Sequence, residues 1–213
     1  MATFSLVHGS WHGGWAWDLV RKELEARGHV AHTPDLPCED VAAGVEDYAA
    51  LVPAADIVVG HSLGGYTIPL IEARTHVFLA AGVAGTGGGA LVPGFGDGQA
   101  RDELGRSYYP DPAVAAAELQ YPPEYTELAS KLRRQAPLAT ELLDAVALES
   151  LLYIVCTRDA VIRPEWQHWA ARDFLGVEPV ELESGHSPML ECPVELAVIL
   201  DSLVAQGSVV RRT

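Results

Sequence analysis

The feature that most limits the possible folds is a short apolar run that leads directly into a glycine-rich turn. Residues 56–59 (DIVV) are apolar after the first position, which is typical of a parallel strand buried on both faces. Residues 60–64 (GHSLG) follow at once, and a helix is predicted to begin there and to continue to about Arg74. A strand, a tight turn and a helix in this order indicate the repeating unit of an α/β fold.

The rest of the chain alternates between similar strand-like and helix-like segments. Strands are predicted at 3–7, 29–33, 76–81, 151–156 and 177–182, and helices at 15–27, 45–54, 164–175 and 193–205. Parallel strands joined by right-handed crossovers have helices on both faces of the sheet. We therefore expect an α/β domain with a mostly parallel sheet.

Residues 83–147 interrupt this alternation and are rich in glycine and proline. The segment is too long for an ordinary loop between two strands. Its apolar side chains favour a small folded cap over a disordered linker, with helices near 112–119 and 124–134; they include Tyr108, Tyr109, Tyr121, Tyr125, Leu128 and Leu132. The prediction is a core of residues 1–82 and 148–213 with a cap or lid insertion at 83–147.

Charge and cysteine content narrow the possible partners. The chain has 14 Lys and Arg against 29 Asp and Glu, a formal net charge of −15, which repels phosphate backbones and anionic lipid. Its three cysteines have no CxxC spacing, which argues against a disulfide framework or a zinc cluster. We expect a cytoplasmic monomer or homodimer that binds a small-molecule substrate, with no nucleic acid, membrane, metal or cofactor.

The turn at residues 60–64 matches the pattern G-x-S-x-G in the context that this motif requires, between a strand and a helix. The small residues on either side of Ser62 allow a sharp turn that holds the serine in a strained conformation, with its hydroxyl beyond the end of the sheet. The alternative is that Ser62 only caps the following helix. The flanking glycines favour a nucleophile.

A serine nucleophile needs a base, and the base needs a third group to orient it. Asp159 follows the predicted strand 151–156, and His186 follows the predicted strand 177–182. Both therefore lie at the same sheet edge as Ser62. Among competing acids, Asp173 lies inside a predicted helix, and Glu183 comes too early on the His186 loop to reach behind the imidazole ring. The residues predict a Ser62–His186–Asp159 triad.

Two backbone N–H groups are expected to stabilise an oxyanion beside the serine. One belongs to Leu63, and the other belongs to Ser10 in the first loop, residues 8–15 (HGSWHGGW). Trp11 in the same loop is expected near the substrate pocket. The alternative is that this aromatic-rich turn only packs.

Four segments resemble the α/β-hydrolase superfamily, in its branch of plant methyl esterases, hydroxynitrile lyases and their bacterial relatives. They are residues 7–17 (VHGSWHGGWAW), 60–71 (GHSLGGYTIPLI), 153–162 (YIVCTRDAVI) and 184–196 (SGHSPMLECPVEL). The resemblance implies the α/β-hydrolase fold with a parallel core of six strands. It also implies the Ser62, Asp159 and His186 triad with the Ser10 and Leu63 amides as the oxyanion hole.

Two positions depart from the hydroxynitrile lyases of this branch. Those lyases carry a lysine after the catalytic histidine, where this chain has Ser187, and a threonine in the first loop, where it has Gly9. We therefore expect a serine hydrolase that cleaves a small, largely apolar carboxylic ester through an acyl-enzyme. One alternative is a lyase, carbon–carbon hydrolase, eliminase or cyclase acting on a natural-product intermediate, and another is a non-catalytic ligand receptor.

Overall fold

A six-stranded, fully parallel sheet forms the centre of the protein. The computed structural model describes residues 1–86, 90–140 and 147–205. The strands are β1 (Thr3–Val7), β2 (Val30–His32), β3 (Ala55–His61), β4 (Ala73–Leu79), β5 (Ala100–Arg101), β6 (Ser107–Tyr108), β7 (Leu151–Cys156) and β8 (Val180–Leu182). The sheet order is β2-β1-β3-β4-β7-β8, while β5 and β6 form a separate antiparallel pair. The expected six-stranded α/β-hydrolase fold is confirmed.

Helices pack on both faces of the sheet. They are α1 (Asp18–Ala26), α2 (Val45–Ala50), α3 (Pro112–Glu118), α4 (Pro164–Trp169), α5 (Pro188–Glu191) and α6 (Pro193–Ala205). Neighbouring residues along β3 point to opposite faces, so Ile57 joins the apolar cluster that contains α1 and α6, whereas Val58 joins the cluster that contains α2 and α4. A π-helix, Ala170–Phe174, continues α4 over most of the predicted span 164–175.

The helix predicted from the glycine turn to about Arg74 is wrong. Two short 3₁₀ helices, Ser62–Tyr66 and Ile68–Leu70, take its place, and β4 already begins at Ala73. Gly64 and Gly65 are poor helix formers, and Pro69 has no backbone N–H to donate to an α-helical ladder. Strand β4 begins three residues before the predicted start at residue 76.

The described part of the insertion packs onto the central domain. It contains the β5–β6 pair, α3 and a 3₁₀ helix at Pro123–Lys131, where the sequence predicts a helix near 124–134. Its buried residues Leu119, Tyr121 and Ala129 belong to the same apolar cluster as strands β1 and β3. The boundaries at 82/83 and 147/148 remain predictions. Within the described ranges, no helix is long and apolar enough to cross a membrane.

Candidate active site

Ser62 stands immediately after β3, in a strained turn. Its φ of 52° lies in the left-handed region, which a non-glycine residue adopts at an energetic cost. A Cβ on Gly60 would lie 2.7 Å from the Gly64 carbonyl oxygen, and a Cβ on Gly64 would lie 2.9 Å from the carbonyl oxygens of Val7 and His8. Only glycine fits at these two positions, as the G-x-S-x-G pattern predicts.

His186 connects Ser62 to Asp159. Nε2 of His186 is 3.1 Å from Oγ of Ser62, and Nδ1 of His186 is 2.9 Å from Oδ2 of Asp159. Asp159 follows β7 and His186 follows β8, so the three side chains meet at the carboxyl edge of the sheet. The histidine and the aspartate are both almost completely buried. The structure thus brings together the three residues that the sequence predicts.

The Asp159 carboxylate is surrounded by donors in addition to His186. Oδ1 accepts the backbone N–H groups of Val161 and Ile162 at 2.7 and 3.0 Å. Oδ2 accepts a hydrogen bond from Nε2 of Gln167 at 2.9 Å. Sequence reasoning missed Gln167, because it lies in the middle of α4 and has no motif around it. These donors fix the orientation of the carboxylate toward the imidazole.

Gln120 of the insertion joins the two loops that carry Asp159 and His186. Its Oε1 accepts hydrogen bonds from the backbone N–H groups of Ala160, at 2.7 Å, and of His186, at 3.0 Å. Its Nε2 donates a hydrogen bond to the Arg158 carbonyl at 2.9 Å. This residue was also missed in the sequence, where it belongs to no recognisable pattern. The insertion therefore helps to hold the histidine and aspartate loops together.

His61 contacts the His186 loop rather than its own neighbours in sequence. Its Nε2 lies 2.7 Å from the backbone oxygen of His186, and the two rings have centroids 4.8 Å apart. Burial lowers the pKa of His61 well below its usual value, so the ring is neutral and donates from Nε2 to that oxygen. His61 therefore links the end of β3 to the loop that follows β8.

Ser10, Trp11 and Leu63 line the same cavity as Ser62. Trp11 has a φ of 63°, and its Nε1 donates to Oγ of Ser107 in β6 at 3.0 Å. Trp11 therefore lines the cavity that reaches Ser62, and its contact with substrate stays a prediction. The Ser10 and Leu63 segments are close enough to Ser62 to remain candidates for the oxyanion hole.

Two buried histidines flank Ser10 in the first loop. Nδ1 of His8 is 2.8 Å from the Gly9 oxygen, and Nδ1 of His12 is 2.7 Å from the Ser10 oxygen. Burial lowers the pKa of His8 to about 4 and the pKa of His12 to about 3. Both imidazoles are therefore neutral at pH 7.

Two neighbouring cavities share part of their walls near the serine. The one that reaches Ser62 has a volume of about 360 Å³, and its walls are mainly apolar, including Trp11, Leu63, Ala90, Phe95, Val161 and Ile162. No charged side chain lines it among the described residues. The second, of about 580 Å³, shares the Ser10, Trp11 and Phe95 walls but adds Arg101 and Gln135.

The two positions that differ from the lyases have clear structural surroundings. A Cβ on Gly9 would lie only 2.8 Å from the Cβ of Ser62, so any larger residue there requires the serine or the loop to move. Oγ of Ser187 donates to the Leu119 carbonyl at 2.7 Å and is fully buried. Ser187 therefore supplies no charge to the cavity.

Comparisons with known proteins agree with this architecture. A family model described as "Alpha/beta hydrolase family" matches residues 6–199. Methylesterase 3 of Arabidopsis thaliana is 24% identical, with 92% of this chain and 93% of that protein covered. Methyl jasmonate esterase 1 of Vitis vinifera is 26% identical, with 96% and 97% covered. The resemblance to plant methyl esterases is confirmed.

A solved structure shows the same fold outside plants. The pyrethroid hydrolase from Sphingobium faniae JZ-2 superposes with a TM-score of 0.74 at 23% sequence identity, over 95% of this chain and 97% of that chain. Likeness at this level of identity concerns the fold alone.

Proposed function

Since the chain belongs to the alpha/beta hydrolase family, we propose that it hydrolyses small, largely apolar carboxylic esters through an acyl-enzyme formed on Ser62. The observation that carries the proposal is the continuous hydrogen-bonded arrangement from Ser62 through His186 to Asp159, beside an apolar cavity. The esterase relatives support the same reaction class.

In the first half of the reaction, Nε2 of His186 takes the proton of the Ser62 hydroxyl as Oγ attacks the ester carbonyl carbon. The carbonyl π electrons move onto oxygen, and the N–H groups of Leu63 and Ser10 stabilise this oxyanion. The carboxylate of Asp159 stabilises the imidazolium and keeps the Nδ1 proton in place. The tetrahedral species then collapses, and His186 gives its proton to the departing alcohol.

In the second half, water replaces the alcohol. His186 removes a proton from water as its oxygen attacks the acyl carbon, and the same N–H groups again stabilise the oxyanion. Collapse breaks the bond to Oγ, returns the proton from His186 to Ser62 and releases the carboxylic acid. No step requires a cofactor.

The cavity next to Ser62 sets the expected substrate class. Its apolar walls and its volume of about 360 Å³ suit a compact uncharged group, since ligand sites bury most of a small molecule against apolar walls. The larger cavity, which contains Arg101 and Gln135, offers room for a more polar portion on the other side of the ester.

The proposal is tested by peptide mass spectrometry after reaction with a small fluorophosphonate, together with a panel of p-nitrophenyl esters. We expect one adduct on Ser62 and none in Ser62→Ala. We also expect Ser62→Ala and His186→Ala to lower kcat by several orders of magnitude in folded protein, about 10⁴-fold or more. Unchanged ester turnover in Ser62→Ala would contradict the proposal.

The same experiment separates ester hydrolysis from lyase or cyclase chemistry at this site. An ester hydrolase gives a burst of alcohol and an acyl adduct on Ser62 that can be trapped by acid quenching. A reaction in which His186 acts only as a base gives neither. A chain that retains the ester without turnover would instead act as a receptor.

A further inference from the structure

Three consecutive backbone carbonyls in the first loop are each held by a hydrogen bond. We call residues 8–12 the oxyanion loop. The Gly9 oxygen accepts from His8, the Ser10 oxygen accepts from His12, and the Trp11 oxygen accepts the backbone N–H of Arg133 at 2.7 Å. The loop is thus fixed by groups around it, although Trp11 has a positive φ.

The hydrogen-bond partners determine the tautomer of both histidines. The backbone N–H of Leu36 donates to Nε2 of His8 at 3.0 Å, so Nδ1 carries the proton and donates to Gly9. Nδ1 of His12 faces a carbonyl and must also donate, so its Nε2 accepts the hydroxyl proton of Tyr121 at 2.7 Å. Each imidazole is therefore held on one side by a distant residue, Leu36 or Tyr121, and on the other side holds one carbonyl of the loop.

The orientation of these carbonyls decides where the neighbouring N–H groups point. In a trans peptide the C=O and N–H bonds point in opposite directions. The bond from His8 to the Gly9 oxygen therefore directs the Ser10 N–H away from His8. The bond from His12 fixes the next peptide and stops the loop from rotating about Ser10.

We propose that His12 and Tyr121, together with His8, are positioning residues that hold the Ser10 N–H toward the oxyanion formed on Ser62. This inference rests on the proposed function and extends it to residues that do not touch the substrate. Tyr121 is buried and does not line either cavity. Because it lies in segment 83–147, the packing of that segment governs whether the oxyanion hole is formed.

The test compares four substitutions. Tyr121→Phe removes the hydroxyl donor and leaves the ring. His12→Leu removes the donor to the Ser10 oxygen, whereas His12→Asn keeps an N–H donor close to the Nδ1 position. Tyr125→Phe is the matched control, since Tyr125 lies in the same segment and its hydroxyl makes no hydrogen bond among the described residues.

Loss of a whole oxyanion donor lowers kcat by about 100- to 1000-fold, so we expect a loss of about 10- to 100-fold for His12→Leu and about 10-fold for Tyr121→Phe. KM is expected to stay within about twofold, because the interaction strengthens only in the transition state. His12→Asn is expected to recover most of the rate, and Tyr125→Phe to match the wild type. The rate of fluorophosphonate labelling of Ser62 is expected to fall in parallel.

A trifluoromethyl ketone provides a readout that a purely structural role would not change. Its adduct with Ser62 carries the oxyanion, so its inhibition constant is expected to rise by the same factor as kcat/KM falls. Binding of the intact ester to the same variants in a Ser62→Ala background is expected to remain constant. Equal weakening of ketone and ester binding would overturn the inference.

Failure of this inference differs from failure of the proposed function. A wild-type protein that neither turns over esters nor labels on Ser62 contradicts the function. A wild-type protein that reacts, with His12→Leu and Tyr121→Phe no slower than Tyr125→Phe, contradicts the positioning role alone. If His12→Leu does not fold, as judged by thermal unfolding, Tyr121→Phe and His12→Asn decide the outcome.

Discussion

Nε2 of Gln167 donates a hydrogen bond of 2.9 Å to Oδ2 of Asp159, the same carboxylate oxygen that lies 2.9 Å from Nδ1 of His186. The amide also donates to the Ile162 carbonyl and accepts the backbone N–H of Cys156. A single buried side chain in α4 therefore ties the aspartate loop to the end of β7. Its role in the site is to orient Asp159.

Gln167→Leu tests this role. The charge-assisted bond to Asp159 is lost, and we expect kcat to fall about 10-fold. The Cys156 N–H loses its partner as well, so the free energy of unfolding is expected to fall by about 1–3 kcal/mol. Ester kinetics and urea unfolding measure the two effects.

Gln167→Glu serves as the isosteric comparison. It puts a second carboxylate against Asp159, and we expect a larger loss of kcat at pH 7 than in Gln167→Leu, because like charges repel and the aspartate is displaced from His186. A Gln167→Glu protein with wild-type kcat at pH 7 would show that the amide does not orient Asp159.

Gly9→Ala is expected to disturb the nucleophile, because the added Cβ would lie 2.8 Å from the Cβ of Ser62. Overpacking costs about 1–3 kcal/mol of stability, and a small displacement of the nucleophile lowers the rate by about 100-fold. The rate of fluorophosphonate labelling measures the effect. Gly44→Ala is the control, since its Cβ would meet only the flexible carboxylates of Glu46 and Asp47.

If Gly9→Ala labels as fast as Gly44→Ala, the close approach of the first loop to Ser62 does not limit the reaction. The threonine of the hydroxynitrile lyases at this position is larger still. We expect Gly9→Thr to lose esterase activity without gaining lyase activity, because Ser187 provides no positive charge for cyanide.

The buried histidines predict a loss of stability in mild acid. The pKa values of His8 and His12 fall from 6.5 to about 4 and about 3 in the folded protein. Between pH 6.5 and 4.5 the unfolded chain binds protons that the folded chain excludes, so the free energy of unfolding falls as the pH falls. Each histidine contributes about 1.4 kcal/mol per pH unit once its unfolded form is fully protonated.

Urea unfolding at a series of pH values measures the slope of the free energy of unfolding against pH. His12→Asn is expected to reduce it by the contribution of one proton, and His32→Gln, at an exposed position, is expected to leave it unchanged. Identical slopes in wild type and His12→Asn would mean that His12 takes up its proton equally in the folded and unfolded states.

Arg101 is expected to select substrates with an acidic group. Arg101 lines the larger cavity, its guanidinium donates to the Gly105 carbonyl, and it has no ion pair among the described residues. An exposed charge pair is worth at most about 1 kcal/mol, so Arg101→Gln is expected to raise KM about fivefold for a p-nitrophenyl hemisuccinate. KM for p-nitrophenyl butyrate is the control, and an equal rise for both esters would exclude charge recognition.

The positions of the central strands along the chain could be predicted because their signal is local. Residues 57–59 and 151–156 are continuous apolar runs, and each lies in a buried parallel strand. The crossover helix after Ser62 could not be predicted in the same way. Its apolar residues continue at helical spacing, but Pro69 and the nearby start of β4 at Ala73 prevent an α-helix.

The sequence by itself determined the residue types and their order: a serine between two glycines, then an aspartate and a histidine, each directly after a strand. These features depend on neighbours within a few positions. Tertiary structure alone decided that Gln167 supports Asp159, that Gln120 joins two loops and that Tyr121 reaches His12 across 109 positions. Such pairs leave no periodic signal, because their contact depends on how distant segments pack.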